Sequence, residues 1–376
     1  MSRLARVTAS RVCVIKPSAL GDVVQAMALL PVLRRRFPRA EISWVIASGL
    51  RDLVDPHPLV DRAVLFDRRG GLSDWRRLLG QLRAARFDVV FDLQGLARTG
   101  LMTAATGAPV RIGLESAREG SHLACHRLIP DSGRAMPAHA RYWRVAEELG
   151  CGGLTRATPV AVSAADAAFA RRRVPLSSRP ALALVPGARW ETKRWPPAKF
   201  ARLAVKAYRA TGAAPVIVGA PDEVDVCAEV ERLVRRFAPA ADCVNLAGRT
   251  MLRQLAAVLH RCDLAVSNDT GPLHLAAAVG TPVVGVFTCT DPVRSGPGGP
   301  RHEFVRTAVA CAGSYRKRCP LAGAANCACL EDVQVAAVWG ATVRCLRKNG
   351  LKPRPTARRT RTAPILPAAV PLRRAA

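Results

Sequence analysis

Short apolar runs alternate with stretches of helical spacing along most of the chain. In the first half the apolar runs are 12–16, 42–47, 63–67 and 89–95, and the apolar positions of 23–37 recur with helical periodicity. Strands that alternate with helices in this way favour a parallel sheet. The first half is therefore predicted to be a doubly wound α/β domain.

The same alternation starts again after residues 171–180, where charge, proline and serine replace the periodic pattern. We interpret this break as a linker between domains at 1–172 and 180–348. Beyond it the pattern predicts five strands and four helices, an order typical of a nucleotide-binding α/β domain. The strands are predicted at 181–187, 215–221, 243–248, 264–269 and 282–287, and the helices at 197–211 and 226–237 and from about Thr250 and Pro272.

The charge of the chain favours anionic partners. Lys and Arg number 57 against 28 Asp and Glu, which gives a formal net charge of +29. Such a field suits nucleic acid, a phosphorylated substrate or an acidic membrane face. Aromatic residues are only 5%, and the basic residues are not interleaved with them, so a base-stacking platform is disfavoured and no nucleic-acid partner is expected. Residues 349–376 are basic and proline-rich without acids, and are predicted to be disordered.

Location and cysteine usage point to the cytoplasm. No apolar run approaches the roughly 18 residues that span a bilayer, and the N-terminus leads into a predicted strand. The 12 cysteines are therefore expected to be reduced thiols. Four of these cysteines lie close together in the sequence, at Cys311, Cys319, Cys327 and Cys329. They lack paired C-x-x-C spacing, so no metal site is expected there.

Two familiar phosphate-binding motifs are missing from the sequence. There is neither G-x-G-x-x-G after a strand nor G-x-x-x-x-G-K-[ST], and no Asp-x-Asp pair stands ready for a divalent cation. A bound phosphate would have to rely on helix N-termini and basic side chains.

Three strand-to-helix loops are candidates for such chemistry. In 16–24, Asp22 follows Gly21 at a helix start, where it is either an N-cap or a base facing a cleft. In 186–200, Arg189, Lys193 and Arg194 surround a turn that is either a solvated basic turn or a phosphate contact.

The third loop is "SNDTGPLHLAAAVGTP" at 267–282. The backbone N–H groups of Thr270 and Gly271 would suit a pyrophosphate at the helix start. Asp269 would be repelled by phosphate, so a sugar-hydroxyl acceptor is its expected role. His274 lies one turn into the helix, where it is either a packing residue or a site residue.

Several stretches together carry a family resemblance. "KPSALGDVVQAMALLPVLRRRFP", "FDLQGLARTG", "PGARWETKRWP", "GAPDE", "NLAGRT" and "NDTGPLHLAAAVGTPVVGVF" occur in the order and spacing of the family 9 glycosyltransferases. The chain resembles a lipopolysaccharide heptosyltransferase over about 12–345, closer to the heptosyltransferase I type. The resemblance implies a GT-B fold, with two Rossmann-like doubly wound domains that face across a cleft and bind the acceptor on the N-terminal one and ADP-heptose on the C-terminal one.

The resemblance also implies roles for individual residues. Asp22 would be the general base, and Lys193 would bind the donor diphosphate and stabilise the departing ADP. Donor contacts are implied for Arg189, Glu223, Thr250, Asp269, Thr270, Gly271 and His274, and acceptor contacts for Lys16, Ser18, Gly21 and Arg118. No cofactor or metal is required for an inverting transfer with one base and one cationic leaving-group site. The partners would be the nucleotide-sugar donor and the anionic lipopolysaccharide acceptor, reached at the cytoplasmic face of the inner membrane.

The sequence departs from the family in three places. Related chains often carry C-x-x-C where Cys311 is followed by Ser314, some have a small hydroxyl residue at the position of Arg189, and the tail from about 350 has no counterpart. Two other readings stay open: a family 9 transferase with another sugar or acceptor, and a non-catalytic basic module for nucleic acid or membrane. Binding by such a non-catalytic module should survive the double substitution Asp22→Ala and Lys193→Ala. It should vanish when the basic tail is removed.

Overall fold

The chain folds into two compact units, each built on a parallel sheet. The computed structural model describes residues 3–131, 136–174, 180–350 and 365–367. Unit 1 comprises 1–163 with 364–376, and unit 2 comprises 164–363. Both sheets have six strands in equivalent orders, and every ladder between their strands is parallel.

The sheet of unit 1 has the order β3-β2-β1-β4-β5-β6. Its strands are β1 (Arg11–Ile15), β2 (Glu41–Ala47), β3 (Arg62–Phe66), β4 (Val89–Asp92), β5 (Val110–Leu114) and β6 (Arg127–Ile129). The central strands are rich in Val and Ile and almost fully buried, as expected when helices cover both faces of a parallel sheet.

Five helices cover this sheet. They are α1 (Leu20–Ala26), α2 (Leu29–Arg36), α3 (Leu72–Ala84), α4 (Ala97–Ala105) and α5 (Ala138–Glu148). Helix α3 packs against α4, while α5 packs against α1 and α2. Short 3₁₀ turns occupy Arg3–Arg6, Ser48–Leu53 and Ser121–Ala124.

Unit 2 repeats the plan with the order β10-β9-β8-β11-β12-β13. Its strands are β8 (Ala181–Val185), β9 (Ala214–Ile217), β10 (Val244–Asn245), β11 (Leu264–Asn268), β12 (Val283–Phe287) and β13 (Glu303–Arg306). Its helices are α6 (Ala164–Arg173), α7 (Pro197–Thr211), α8 (Val224–Phe237), α9 (Leu252–Arg261), α10 (Gly271–Ala278), α11 (Pro292–Ser295), α12 (Ala328–Asp332) and α13 (Val335–Lys348). The 3₁₀ turns are Glu191–Lys193, Pro221–Glu223 and Gly323–Ala325.

A compact aromatic and aliphatic core holds the turn before α7 against the sheet of unit 2. Trp195 is fully buried, stacks edge-on against Phe200 at 4.9 Å between ring centroids, and donates its Nε1–H to the carbonyl of Val333 at 2.8 Å. Burying two aromatic side chains contributes a few kcal/mol, because apolar area is worth about 25 cal/mol per Å². The loop after β8 is therefore held on rigid structure.

The predicted element order is confirmed, with local differences. The helix predicted over 23–37 is two helices, broken at Met27 and Ala28. Pro31 lies in the first turn of α2, where its missing N–H needs no partner, which explains why the helix restarts there. The sequence missed β5, β6 and β13; the last has four residues and no fully buried position.

The boundary between the units differs from the predicted linker. Of the predicted linker, residues 171–173 end α6 and 175–179 lie outside the described residues, while the unit boundary falls after Ser163, before that helix. Helix α6 packs against α9, where Nε of Arg253 lies 3.7 Å from Oδ2 of Asp166. The helix therefore belongs with unit 2.

Two segments outside the main sheets complete the fold. In the predicted tail, β14 (Ile365–Pro367) pairs parallel with β7 (Val160–Val162), in contrast to the predicted disorder, while 351–364 and 368–376 lie outside the described residues. Within the described part of the chain, no helix combines the length and apolar character needed to cross a membrane.

Candidate active site

The two sheets place polar loops at equivalent positions. In unit 1, β1 lies between β2 and β4, and in unit 2, β8 lies between β9 and β11. In each sheet, successive strands are added outward on one side of the central strand and then outward on its other side. This reversal makes a topological switch point beside the central strand. Open α/β sheets bind ligands beyond the carboxyl ends of strands at such points. All three candidate loops of the sequence begin there.

At the switch point of unit 1, Asp22 is the third residue of α1. Its Oδ2 accepts a hydrogen bond from the backbone N–H of Ala19 at 3.3 Å, and its Oδ1 accepts one from the hydroxyl of Tyr142 at 3.4 Å. The N-cap is Ala19, so the N-cap interpretation of Asp22 is wrong. From the third position of the helix, the carboxylate instead accepts the backbone N–H of the N-cap residue. Both contacts are long, and the half-buried carboxylate keeps lone pairs for another donor.

Lys16 lies beside this carboxylate, directly after β1. It is 3% exposed, and its Nζ lies 5.3 Å from the centroid of the Tyr142 ring. Burial lowers the pKa of Lys16, and the nearby carboxylates of Asp22 and Asp92 partly oppose that shift. Buried lysines of this kind need an anionic neighbour to stay charged.

Asp92, which sequence reasoning did not select, ends β4 opposite Ile15 of β1. It is 1% exposed, and its Oδ1 accepts the backbone N–H groups of Gln94 and Gly95, each at 3.0 Å. Burial raises the pKa of Asp92, against these hydrogen bonds and the charge of Lys16. The available signal was an acid that ends an otherwise apolar strand inside the "FDLQGL" motif.

The predicted acceptor residue Arg118 is held by the loop after β4. Its backbone N–H donates to the carbonyl of Gly95 at 2.8 Å, while its side chain is exposed. Gly95 has φ +65°, and a Cβ added there would lie 2.9 Å from the Cα of Ala117, so only glycine permits this approach. Ser18 lies between β1 and α1, Gly21 is the second residue of α1, and both are half-buried.

At the switch point of unit 2, the half-buried Lys193 and the buried Asp269 form an ion pair. Lys193 Nζ lies 2.7 Å from Asp269 Oδ2 and donates to the carbonyl of Asp269 at 3.2 Å. It also lies 4.5 Å from the centroid of the Trp190 ring. Asp269 is 5% exposed. The pair joins two residues that the sequence had placed in separate roles.

Asn268 connects this pair to the loop after β8. Its Nδ2–H donates to the carbonyl of Pro186 at 2.8 Å, and its Oδ1 accepts the backbone N–H of Trp195 at 3.1 Å. The hydroxyl of Thr288 donates to the carbonyl of Thr192 at 2.5 Å. Sequence reasoning missed both residues; a buried polar residue at the end of an apolar strand was the signal for Asn268.

Helix α10 begins next to the ion pair. Thr270 is its N-cap in extended conformation without a side-chain capping bond, and the first-turn amides face the start of the helix. His274 is buried on this helix, 7% exposed. Burial lowers the pKa of the nearby His302 to about 4, and the charges of Arg301, Lys348 and His274 add to this shift.

Glu223 approaches the same edge from the turn after β9. Its Oε2 accepts the backbone N–H of Ala220 at 2.9 Å, and its carboxyl carbon would lie 2.1 Å from a Cβ added at Gly187. Arg189 is exposed and Thr250 half-buried. Among the described residues, neither is joined to the Lys193–Asp269 pair by a hydrogen bond.

The described residues hold no group of three His, Cys, Asp or Glu side chains that could bind a metal ion. This includes the four cysteines from Cys311 to Cys329, all of which are free.

Comparison with known proteins identifies one family. The family model described as glycosyltransferase family 9 (heptosyltransferase) matches residues 75–325. The chain is 27% identical over 291 residues to the lipopolysaccharide core heptosyltransferase OpsX of Haemophilus influenzae, covering 76% of this chain and 81% of that protein. It is 28% identical over 329 residues to lipopolysaccharide heptosyltransferase 1 of Pseudomonas aeruginosa, covering 82% and 87%.

The fold is shared with a solved heptosyltransferase. The structure of Escherichia coli ADP-heptose lipopolysaccharide heptosyltransferase II matches with a TM-score of 0.71 and 24% identity, over 90% of this chain and 99% of that one. The expected α/β class and GT-B fold, with a doubly wound parallel sheet in each half, are confirmed.

Proposed function

The chain belongs to glycosyltransferase family 9, and on that premise we propose that it transfers heptose from ADP-heptose to the Kdo-bearing inner core of lipopolysaccharide. The relatives at 27% and 28% identity are heptosyltransferases of lipopolysaccharide, and the solved neighbour is described with ADP-heptose. The observation that carries the proposal is the difference between the two switch points. In unit 1, the Asp22 carboxylate can accept a further hydrogen bond. In unit 2, the Lys193 ammonium is available to an anion that replaces Asp269.

Asp22 is the proposed general base. Its two hydrogen bonds, from Ala19 and Tyr142, orient the carboxylate and leave it room to accept the proton of an acceptor hydroxyl. General-base catalysis of this kind contributes about 10²- to 10⁴-fold. A carboxylate is a weak base near neutral pH, so alignment of the hydroxyl supplies much of the remaining effect.

Lys193 is the proposed electrostatic group at the leaving ADP. A phosphate oxygen next to Nζ would compete with Asp269 for the ammonium hydrogens, and the amides of Thr270 and Gly271 would add donors at the start of α10. Asp269 would then turn to the heptose hydroxyls, with His274 beside it.

Three further residues are proposed to hold the donor. Glu223 would accept hydrogen bonds from the ribose, Thr250 would contact the adenine, and the exposed Arg189 would add a cation for the phosphates. Their positions around the carboxyl edge of the unit 2 sheet support this assignment.

The acceptor is proposed to bind at unit 1 through Lys16, Ser18, Gly21 and Arg118. The cations Lys16 and Arg118 suit an acidic sugar, and the net charge of +29 suits an anionic lipid at the cytoplasmic face of the inner membrane. We propose a peripheral, cytoplasmic enzyme that uses neither metal nor cofactor and binds no nucleic acid.

The proposed reaction is a single inverting displacement. Asp22 takes the proton as the acceptor oxygen attacks the anomeric carbon, the bond to the diphosphate breaks, and Lys193 with the α10 amides stabilises the charge on ADP. The finer assignment to the heptosyltransferase I type is part of the same proposal.

A donor screen tests the function. Thermal shift with ADP-, UDP- and GDP-sugars should show stabilisation by the ADP-sugar, since a ligand stabilises the state that binds it. Mass analysis should then find one added heptose on a truncated Kdo-bearing acceptor. Stabilisation by a UDP-sugar alone would favour a family 9 transferase with another sugar. Loss of all binding on removal of the basic tail, with no transfer, would favour a non-catalytic module.

A further inference from the structure

Two cysteines of unit 2 lie against each other in the segment that covers the Lys193 turn. The backbone N–H of Cys327 donates to Sγ of Cys319 at 3.2 Å, and both residues are half-buried. Cys319 follows a basic run, Arg316 to Arg318. The proposed donor and acceptor roles use neither thiol.

The surroundings of the two thiols differ. Hydrogen bonds from the backbone N–H groups of Cys327 and Leu321, and then from the Cys327 thiol, lower the pKa of Cys319. Burial, and then the neighbouring Cys319 sulfur, raise the pKa of Cys327. Backbone donors that favour the thiolate form of one cysteine, beside a second cysteine whose protonated form is favoured, make the arrangement of an attacking and a resolving cysteine.

The segment that carries these thiols is fastened to the donor turn, Glu191–Lys193, before Cys319 and to α7 after Cys327. Before Cys319, the hydroxyl of Thr192 donates to the carbonyl of Arg316 at 2.8 Å. After Cys327, the ammonium of Lys199 donates to the carbonyls of Leu330 and Glu331 at 3.1 and 2.7 Å. Thr192 precedes Lys193 in the chain, so the position of the segment bears on the position of that lysine.

We propose that Cys319 and Cys327 are a thiol modification site, which closes to a disulfide on reaction with small-molecule disulfides and thereby constrains the Lys193 turn. The first part is independent of the function. The second part rests on the proposed donor role of Lys193.

The chemistry balances with a low-molecular-weight disulfide such as oxidised glutathione as the oxidant. The Cys319 thiolate attacks one of its sulfurs, breaks the S–S bond and releases one glutathione thiolate. The Cys327 thiol then gives its proton to solvent and attacks Sγ of Cys319, which releases the second glutathione thiolate. Two protein thiols are oxidised and one disulfide is reduced to two thiols.

The covalent part is tested on the full-length reduced protein in oxidised glutathione, followed by digestion and mass analysis. The expected product links Cys319 to Cys327 with the loss of two hydrogens. In Cys327→Ser a glutathione adduct should accumulate on Cys319, whereas Cys319→Ser should give neither product. Cys311→Ser and Cys329→Ser are matched controls and should cross-link as the unsubstituted protein does.

Alkylation of the unsubstituted protein checks the assignment without any substitution. Iodoacetamide at neutral pH should label Cys319 at least about tenfold faster than Cys311, because the thiolate is the nucleophile. A disulfide between other cysteines, unchanged oxidation of Cys319→Ser, or a stoichiometric zinc ion in the native protein that is lost in Cys319→Ser would overturn the assignment.

The coupling to the donor turn is measured as ADP affinity by titration calorimetry. The oxidised protein should bind ADP with an affinity changed by at least about threefold, which corresponds to about 0.7 kcal/mol. Dithiothreitol should restore the original value, and oxidised Cys311→Ser should show the same change. Equal ADP affinity in both redox states would overturn the coupling, while absence of ADP binding in either state would count against the proposed function.

Discussion

The two switch points have the same topology but pair their charged groups differently. Each lies beside the central strand of its sheet, and each combines a lysine with a carboxylate. In unit 2 the two groups form an ion pair at 2.7 Å between Lys193 and Asp269. In unit 1 the hydrogen bonds that Asp22 accepts from other described residues are long, at 3.3 and 3.4 Å.

This difference separates two chemical roles. A carboxylate in a short ion pair is already neutralised by its partner and is a poor proton acceptor, whereas one held by two weak donors can accept another hydrogen. We propose that an incoming phosphate displaces this carboxylate from the paired lysine. The same sheet position can therefore serve proton transfer in one unit and anion binding in the other.

Removal of the unit 1 carboxylate should have the largest effect. Asp22→Asn should lower kcat for heptose transfer by about 10²-fold or more and leave the affinity for ADP unchanged, because a general base acts on the acceptor alone. Single-turnover transfer and ADP calorimetry measure the two quantities.

Asp74→Asn is the matched control for this substitution. Asp74 also occupies the third position of its helix, where its Oδ2 accepts the backbone N–H of Gly71 at 3.1 Å. It should show the same small loss of helix stability and full transfer activity. Transfer by Asp22→Asn at the rate of the unsubstituted enzyme would remove the base assignment.

Breaking the ion pair of unit 2 should be the next largest effect. Lys193→Met leaves the Asp269 carboxylate buried without its cation, which costs about 3 kcal/mol of unfolding free energy. Because a charged donor to phosphate is lost as well, ADP affinity should fall about tenfold or more. Chemical denaturation and calorimetry report the two changes.

A second substitution separates stability from binding. Adding Asp269→Asn should restore most of the unfolding free energy, since the unpaired charge is gone, but it should not restore ADP affinity. Restoration of both would mean that Lys193 acts only through the fold. Full ADP affinity in Lys193→Met alone would contradict its proposed role.

The sequence predicted elements better than it predicted side-chain partners. Helix α7 was predicted at its observed bounds, 197–211, because a proline start and a regular apolar face mark it locally. Strand β13 and the break at Met27 and Ala28 were missed, since short half-exposed strands and single-turn breaks carry weak periodic signals.

The partners at the site depend on contacts across long sequence distances. Lys193 and Asp269 lie 76 residues apart, and Tyr142 lies 120 residues from Asp22. Motif resemblance selected Lys193, Asp269 and Asp22 singly, but no local pattern joins them. Tyr142 gave no separate signal, whereas Asp92 and Asn268 each end an apolar strand, which was a signal that the sequence analysis did not use.

The hydroxyl of Tyr142 allows a finer test of the unit 1 carboxylate. Burial, and then the charge of Asp22, hold the pKa of Tyr142 well above its usual value, so the hydroxyl remains a donor. A hydrogen bond to the charged carboxylate favours that charged form. Tyr142→Phe should lower kcat for heptose transfer a few-fold and leave the affinity for ADP unchanged, because Asp22 loses one of the two donors that orient it.

Tyr208→Phe is the control for this change, because it removes a hydroxyl from unit 2. It should leave kcat and ADP affinity as in the unsubstituted enzyme. An unchanged kcat in Tyr142→Phe would contradict the positioning of Asp22 by this hydroxyl.

The smallest expected effect concerns the edge of the unit 2 site. In Gly187→Ala the new Cβ would lie 2.1 to 2.4 Å from the carboxyl atoms of Glu223, so that flexible side chain must turn away. The fold should lose less than about 1 kcal/mol, because the displaced group is the end of a flexible side chain with one hydrogen bond, to Ala220. If Glu223 holds the ribose, ADP affinity should fall a few-fold while free phosphate competes as before.

Gly80→Ala is the control, because nothing lies close to the added carbon, and it should change neither the stability of the fold nor the ADP affinity. Unchanged ADP affinity in Gly187→Ala, together with unchanged affinity in Glu223→Gln, would take Glu223 out of the donor site and leave the Lys193–Asp269 pair and α10 to bind the nucleotide.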